Sequence, residues 1–302
     1  MSDVWPRSFL TEPHLVLAWG TLRPASFADR VAAAAGAGFQ SIGMAIADYR
    51  GLREAGWTDD QLVAVLDEHD VTIDEVEVIF GFSAPPGPAD VPERPGLTYA
   101  DPDVEAAAFR MADVFGARRV QAVDRLGEMR ADDEAIDAFG ALCDRAAAHE
   151  LGVALEFVPY SSISDLDSAV AVVEGAGRSN GGLCIDSWHF FRGGHSLDAL
   201  AGVDPTRIVM IQINDGPMKP EDDNRMADAV HHRRCPGEGE FDLDGFVGTL
   251  ARLGVEAPIS VEIYSDVLDR LPSAVAARAA AASTCGLLDR ARRPLPESPC
   301  DR

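Results

Sequence analysis

The feature that most constrains this chain is an alternation repeated eight times: a short apolar run, then an alanine-rich stretch of helical character. The apolar runs are His14 to Trp19, Ser41 to Ala45, Thr72 to Phe80, Arg119 to Val123, Val153 to Val158, Gly182 to Asp186, Ile208 to Ile213 and Ile259 to Ile263. Several are almost continuously apolar, as expected of strands buried on both faces. Strands alternating with helices in this way predict parallel pairing through crossover helices.

Helix candidates lie between the runs, among them Ser26 to Ala37, Thr58 to His69, Asp101 to Phe115, Asp132 to Glu150 and Leu268 to Asp289. Thr58, Ser164 and Asp132 precede acidic residues, placing hydrogen-bond acceptors and negative charge at the positive end of a helix dipole. Gly38, Gly116, Gly152 and Gly254 follow helix candidates, where a left-handed residue closes the last turn. Eight such units in 302 residues predict an α/β fold of the closed (β/α)8 TIM barrel type. An open doubly wound sheet is disfavoured because no GxGxxG fingerprint follows any strand.

One barrel domain is expected over residues 1–290, with residues 291–302 as a C-terminal tail. Two long segments, Gly81 to Tyr99 with its five prolines and the strongly charged Asp215 to Glu240, each follow a strand. They are expected at the catalytic face, as lids.

A barrel enzyme gathers its chemistry at the carboxyl ends of its strands, so polar residues that end apolar runs are the informative ones. Glu156, Asp186, Gln212 and Glu262 do this on strands 5 to 8, separated by 30, 26 and 50 residues. Three carboxylates converging in a barrel mouth repel one another, and a divalent cation resolves that conflict. Taken singly, each acid also suits a helix cap or an arginine partner, and Gln212 suits a backbone-satisfying amide. An all-oxygen donor set favours Mn²⁺, with Mg²⁺ or Co²⁺ as alternatives, over zinc.

The segments LeuGluPheValPro at 155–159, AspSerTrpHis at 186–189, GlnIleAsnAsp at 212–215, ArgArgCysProGlyGluGlyGluPheAsp at 233–242 and SerValGluIle at 260–263 together resemble the xylose isomerase-like TIM barrel superfamily. That superfamily holds sugar isomerases and epimerases, inosose and 3-dehydroshikimate dehydratases, and the endonuclease IV branch. The resemblance implies that Glu156, Asp186, Gln212 and Glu262 are metal ligands. It also implies that His189 faces the substrate and that Arg233 or Arg234 reaches it. Many isomerases of the superfamily carry His where this chain has Gln212, and Gln there is closer to some dehydratases.

The expected activity is metal-assisted proton abstraction beside a carbonyl of a small polyhydroxylated substrate, of the sugar isomerase or epimerase type. Glu156 or Glu262 is the base, and His189 moves protons between oxygens or to a departing hydroxyl. Arg233 and Arg234 otherwise serve as ion pairs of the acidic loop, while Trp188 and Trp19 wall the substrate or fill the core. The alternatives are a dehydratase of inosose or 3-dehydroshikimate type and a non-catalytic sugar-binding barrel or accessory subunit.

Composition excludes several partners. Fifty acidic against 26 basic side chains give a formal charge of -24, which opposes a phosphate backbone, and seven histidines are few for a three-zinc DNA-repair site. Cys143, Cys184, Cys235, Cys285 and Cys300 form no CxxC pair and read as reduced cytoplasmic thiols. Neither a leader pattern nor a membrane-length apolar run is present, and self-association into a homo-oligomer stays open.

Overall fold

A computed structural model describes residues 9, 10, 12–92, 94, 96–127 and 132–292, the side chains of 132 and 133 aside. Eight parallel strands close into a barrel: β1 (Leu15–Leu17), β2 (Ser41–Ala45), β3 (Thr72–Phe80), β4 (Arg119–Val123), β5 (Gly152–Glu156), β6 (Gly181–Asp186), β7 (Ile208–Ile213) and β8 (Ile259–Val261). Neighbours in sequence are neighbours in the sheet, and β8 pairs with β1 through Leu15 and Ile259, Val16 and Ser260, and Leu17 and Val261. The eight expected strands are therefore all present. Those expected at 14–19, 153–158 and 259–263 are shorter, because the chain leaves the ladder once it reaches the polar rim.

Helix starts follow the chemistry of their caps. Thr58 and Gln61 form a reciprocal capping box, with Gln61 N donating to Thr58 Oγ1 at 3.2 Å and Thr58 N to Gln61 Oε1 at 2.9 Å. Ser26 and Asp101 cap their helices in the same manner, each accepting from a backbone N–H of the first turn. Asp165, rather than the expected Ser164, caps the helix Leu166–Ala176, since its carboxylate reaches Ser168 N at 2.9 Å. The cap expected at Asp132 and Asp133 falls on side chains outside the described residues.

Two helix ends correct the sequence reading. Helix Asp132–Ala147 stops short of Glu150, and Glu150 itself takes the left-handed backbone at φ 53°, leaving Gly152 free to begin β5. Toward the C-terminus, Pro272 separates a short 3-10 turn, Leu268–Arg270, from the long helix Ser273–Ala291, where one helix from 268 was expected. That helix reaches Ala291, one residue into the expected tail, and residues 293–302 lie outside the described residues.

The two-residue period of the strands sorts the core into two layers. Val153 and Leu155, Leu183 and Ile185, Ile211 and Ile213, and Ile259 and Val261 join the large cluster under the helices. Ala154, Cys184 and Met210 form a separate small cluster inside the barrel. The next residues on the inward face are Glu156, Asp186 and Gln212, with Glu262 following Ser260 on the last strand. The polar mouth thus stands directly on this floor. No helix among the described residues is long and apolar enough to cross a membrane.

Candidate metal centre

Glu156, Asp186, Gln212 and Glu262 are all buried and share one hydrogen-bonded network with Gln121 and Arg233, with His189 alongside at ion-pair distance. Gln121, inward on β4, donates from Nε2 to Glu156 Oε2 at 2.7 Å and lies 3.5 Å from Gln212 Oε1. Gln212 donates in turn to Glu262 Oε1 at 3.0 Å. Asp186 Oδ1 accepts from Asn214 Nδ2 at 2.8 Å and from Trp188 N at 2.7 Å, so Asp186 also caps the short helix Ser187–Arg192. That helix carries His189 back over the mouth, with Nε2 lying 3.5 Å from Glu156 Oε1 and 3.9 Å from Asp186 Oδ2.

Arg233 enters from the long loop after β7. Its Nη1 donates to Asp186 Oδ2 and Glu262 Oε2, both at 2.8 Å, and its Nε to Ala229 O at 2.8 Å. Arg233 N donates to Tyr264 O at 3.0 Å on one side, while Arg234 exchanges backbone bonds with Asp215 on the other. Consecutive side chains of such an extended segment point opposite ways, so only one arginine of the pair turns inward. Arg234 points outward to Glu221 Oε1 at 2.8 Å and is excluded from the centre, contrary to its expected role beside the substrate. The ProGlyGluGly turn wraps the Asp215 carboxylate, whose oxygens accept from Gly237 N and Phe241 N.

Burial shapes the charge of this centre. It raises the Glu156 carboxyl to about 8, aided by the repulsion of Asp186, and pushes Glu262 well above the usual carboxylate range. Asp186 is equally buried, yet the attraction of Arg233 and His189 and the Asn214 hydrogen bond hold it below that range. Desolvation takes the His189 imidazole down to about 4. The Arg233 guanidinium bonds two of the three carboxyl groups, and among the described residues Glu156 Oε1 and His189 Nδ1 have no hydrogen-bond partner.

Glu156, Asp186 and His189 each offer a ligand atom, and these atoms lie within 4.8 Å of one another. Three buried carboxyl groups, two of them held back from ionising by burial and one with an unpartnered oxygen, are the condition a cation relieves, so the donor set fits a divalent ion. Gln212 sits in the same network, its Oε1 taking Cys184 Sγ at 3.2 Å.

The sequence profile described as Xylose isomerase-like TIM barrel matches residues 31–285. The chain belongs to that family. Within the family's neighbourhood, it is 27% identical to an inosose isomerase of Bacillus subtilis over 187 residues, 58% of this chain and 64% of that one. It is 30% identical to a 3-dehydroshikimate dehydratase of Pseudomonas aeruginosa over 156 residues, 50% of this chain and 23% of that protein. These matches span less than two thirds of either relative's length. The crystal structure of an IolI protein with a bound zinc atom superposes with a TM-score of 0.77 at 20% identity, covering 91% of this chain and 98% of the other. That likeness is one of fold.

The expected aromatic walls separate. Trp188 is buried between Phe241 and the Arg192 guanidinium and borders a cavity of 290 Å³ beside the metal-side pocket. Trp19 donates from Nε1 to Asp48 Oδ2 at 2.5 Å and borders a different cavity, of 330 Å³. Both long loops roof the mouth, the first bringing Arg94 and the second Met226 and Val230 to the metal-side pocket. Gln121, Asn214, Tyr160 and Tyr264 complete the centre without having been assigned from sequence. Gln121 alone gave a signal, as a polar residue inside the apolar run of β4.

Proposed function

We propose that this family member is a divalent-metal-dependent enzyme that moves a proton next to a carbonyl of a small polyhydroxylated substrate, as a sugar isomerase or epimerase does. The observation carrying this reading is the Glu156 carboxyl: Gln121 holds one oxygen, and the other is buried, unpartnered and beside the pocket. Glu156, Asp186, Gln212 and Glu262 would hold the ion, with the His189 imidazole close enough to join them. Mn²⁺ suits that oxygen-rich set best, ahead of Mg²⁺ or Co²⁺. When bound, the ion polarises a substrate carbonyl and stabilises negative charge beside it.

The chain's own residues do the rest. Glu156 takes the proton from the carbon next to the carbonyl, and Gln121 holds its carboxyl in place. Glu262, anchored by Gln212 and Arg233, returns a proton from the opposite wall. His189 donates a hydrogen bond to a substrate oxygen between them. Trp188 backs the wall that positions Arg233, its ring 5.6 Å from the guanidinium.

A second reading, dehydration of a cyclic keto-polyol, is favoured by the closeness of His189 to Glu156 and by Gln212. In an isomerisation the abstracted proton returns to carbon, whereas in a dehydration it leaves with a hydroxyl as water. Incubating the Mn²⁺-loaded protein with inosose, 3-dehydroshikimate and a ketose panel in deuterated water tests both. Carbon-bound deuterium without a new ultraviolet chromophore supports isomerisation, and a conjugated chromophore supports dehydration. Absence of both, together with no binding of Mn²⁺, would sink the enzyme reading and leave a sugar-binding barrel.

A further inference from the structure

The metal-side pocket has a volume of 50 Å³, room for about four waters. Sites for small molecules usually have roughly 300 Å³ or more. A polyol with its reacting carbons at Glu156 must therefore extend into an adjoining space, and of the three that share wall residues with the pocket, the 240 Å³ one at Leu126, Tyr160 and Met226 has no buried charged side chain in its lining. The 290 Å³ cavity shares only Tyr160 and His189 with the pocket; its half-buried Arg192 bonds Asp228 Oδ2 at 2.7 Å and Pro217 O at 2.5 Å, which leaves Nη2 without a partner among the described residues. The 330 Å³ cavity shares a longer wall, made by Val78, Phe80, Arg94 and Tyr264.

The carboxyl of Glu77 lines that larger cavity and is 4% exposed. Its Oε1 accepts from Trp19 N at 3.0 Å, while its Oε2 is buried and meets no donor among the described residues. Glycine at position 43 makes this placement feasible. A Cβ there would lie 2.0 Å from Glu77 Oε1, so β2 forgoes a side chain where the carboxylate stands. A buried acceptor without a donor is costly unless something supplies one.

We propose that the 330 Å³ cavity is the far half of the substrate site and that Glu77 accepts a hydrogen bond from a polyol hydroxyl remote from the reacting carbons. The ligand class is a polyol of about six carbons, cyclic or linear, whose distal hydroxyls supply the donor that Glu77 Oε2 lacks. Arg94, stacked on the Phe80 ring at 4.7 Å, borders the passage between the two spaces. This assignment rests on the metal-dependent polyol reading above and makes Glu77 a determinant of which hydroxyl pattern is accepted.

The test is equilibrium binding, independent of turnover. Isothermal titration of Mn²⁺-loaded wild type and Glu77→Gln with myo-inositol and a series of monodeoxy-inositols measures the hydroxyl preference directly. Wild type should prefer the full polyol over one deoxy isomer, and Glu77→Gln should bind myo-inositol about tenfold more weakly and lose that preference. A purely structural role would weaken all ligands alike and leave the preference intact, which would overturn the proposal. So would a wild type that binds no polyol. Glu77→Asp, which keeps the charge but withdraws it by one methylene, gives the same readout if the glutamine variant does not fold. Failure of wild type to bind Mn²⁺ would remove the metal reading as well, whereas normal Mn²⁺ binding with an unaltered preference would remove this assignment alone.

Discussion

The two flanks of the barrel mouth treat buried acid in opposite ways. On the β5 to β8 side, Asp186 and Glu262 share the Arg233 guanidinium, and amides from Gln121, Gln212 and Asn214 take up most of the remaining lone pairs. On the β3 side, Glu77 has one backbone N–H and Glu75 one hydroxyl, Ser260 Oγ at 2.6 Å. Burial raises Glu75 to about 8 and Glu77 to about 7, as it raises Glu156 and Glu262 on the other side, and the Arg119 charge near Glu75 and the Arg30 charge near Glu77 offset it only in part. Dense pairing suits a flank that must hold several carboxylates at fixed positions around a charge. Sparse pairing suits a flank that waits for a neutral ligand to complete it.

The strongest way to break this comparison is to disable the paired flank. Glu156→Gln keeps the shape and the Gln121 contact but removes the base, and should lower kcat/KM by about 10² to 10⁴ with circular dichroism unchanged. A loss below about threefold would take Glu156 out of the chemistry. Arg233→Met attacks the pairing itself, leaving Asp186 and Glu262 without their shared partner. In metal-free protein it should cost about 3 to 5 kcal/mol in chemical denaturation, and Mn²⁺ should raise its melting temperature more than that of wild type. Equal stability of the two metal-free proteins would show that the guanidinium is not what holds the carboxylates.

On the sparse flank the effects are smaller. Gly43→Ala drives a methyl into Glu77 Oε1 and to 3.3 Å from Ala18 Cα, at a cost of about 1 to 3 kcal/mol. Adding Glu77→Ala should recover part of that loss in a double-mutant cycle, and strict additivity would refute the contact. The mildest test is pH. Glu75 has its folded pKa raised, so the folded state holds the proton more tightly than the unfolded chain does. Its contribution is therefore complete below about pH 4.5, falls as pH rises toward about 8 and is flat beyond. Glu75→Gln should flatten that part of the stability profile in urea titrations at stepped pH, and an unchanged slope would show that Glu75 does not titrate there.

The same contrast explains what the sequence disclosed. Glu156, Asp186, Gln212 and Glu262 stand one register step above the inward residues Ala154, Cys184, Met210 and Ser260 at the ends of four similar strands, so counting along apolar runs finds them. On β3 the ladder shifts between Val76 and Ile79, and β2 shifts between Ile42 and Gly43. Such irregularities break the inward-outward alternation that counting relies on, and they hid the facing of Glu75 and Glu77. The choice between Arg233 and Arg234 was equally hidden, because it depends on a loop pinned by Tyr264 O on one edge and Asp215 on the other. At Gly152 the residue type misled: a glycine after a helix invited a cap, but Glu150 accepted the strained backbone two residues earlier.

The seam between β8 and β1 has a consequence for how such a chain is made. Thr21 Oγ1 donates to Val261 O at 2.7 Å and accepts from Ile263 N at 2.8 Å, stitching the start of the barrel to its last strand. During synthesis from the N-terminus, seven strands emerge before β8, and Glu262 comes directly after it. Until the eighth arrives, β1 and β7 are open edges able to pair with any neighbouring chain. The residue that completes the acid cluster thus follows directly on the strand that removes the aggregation hazard, and the nascent barrel closes its edges and its acid cluster in one event.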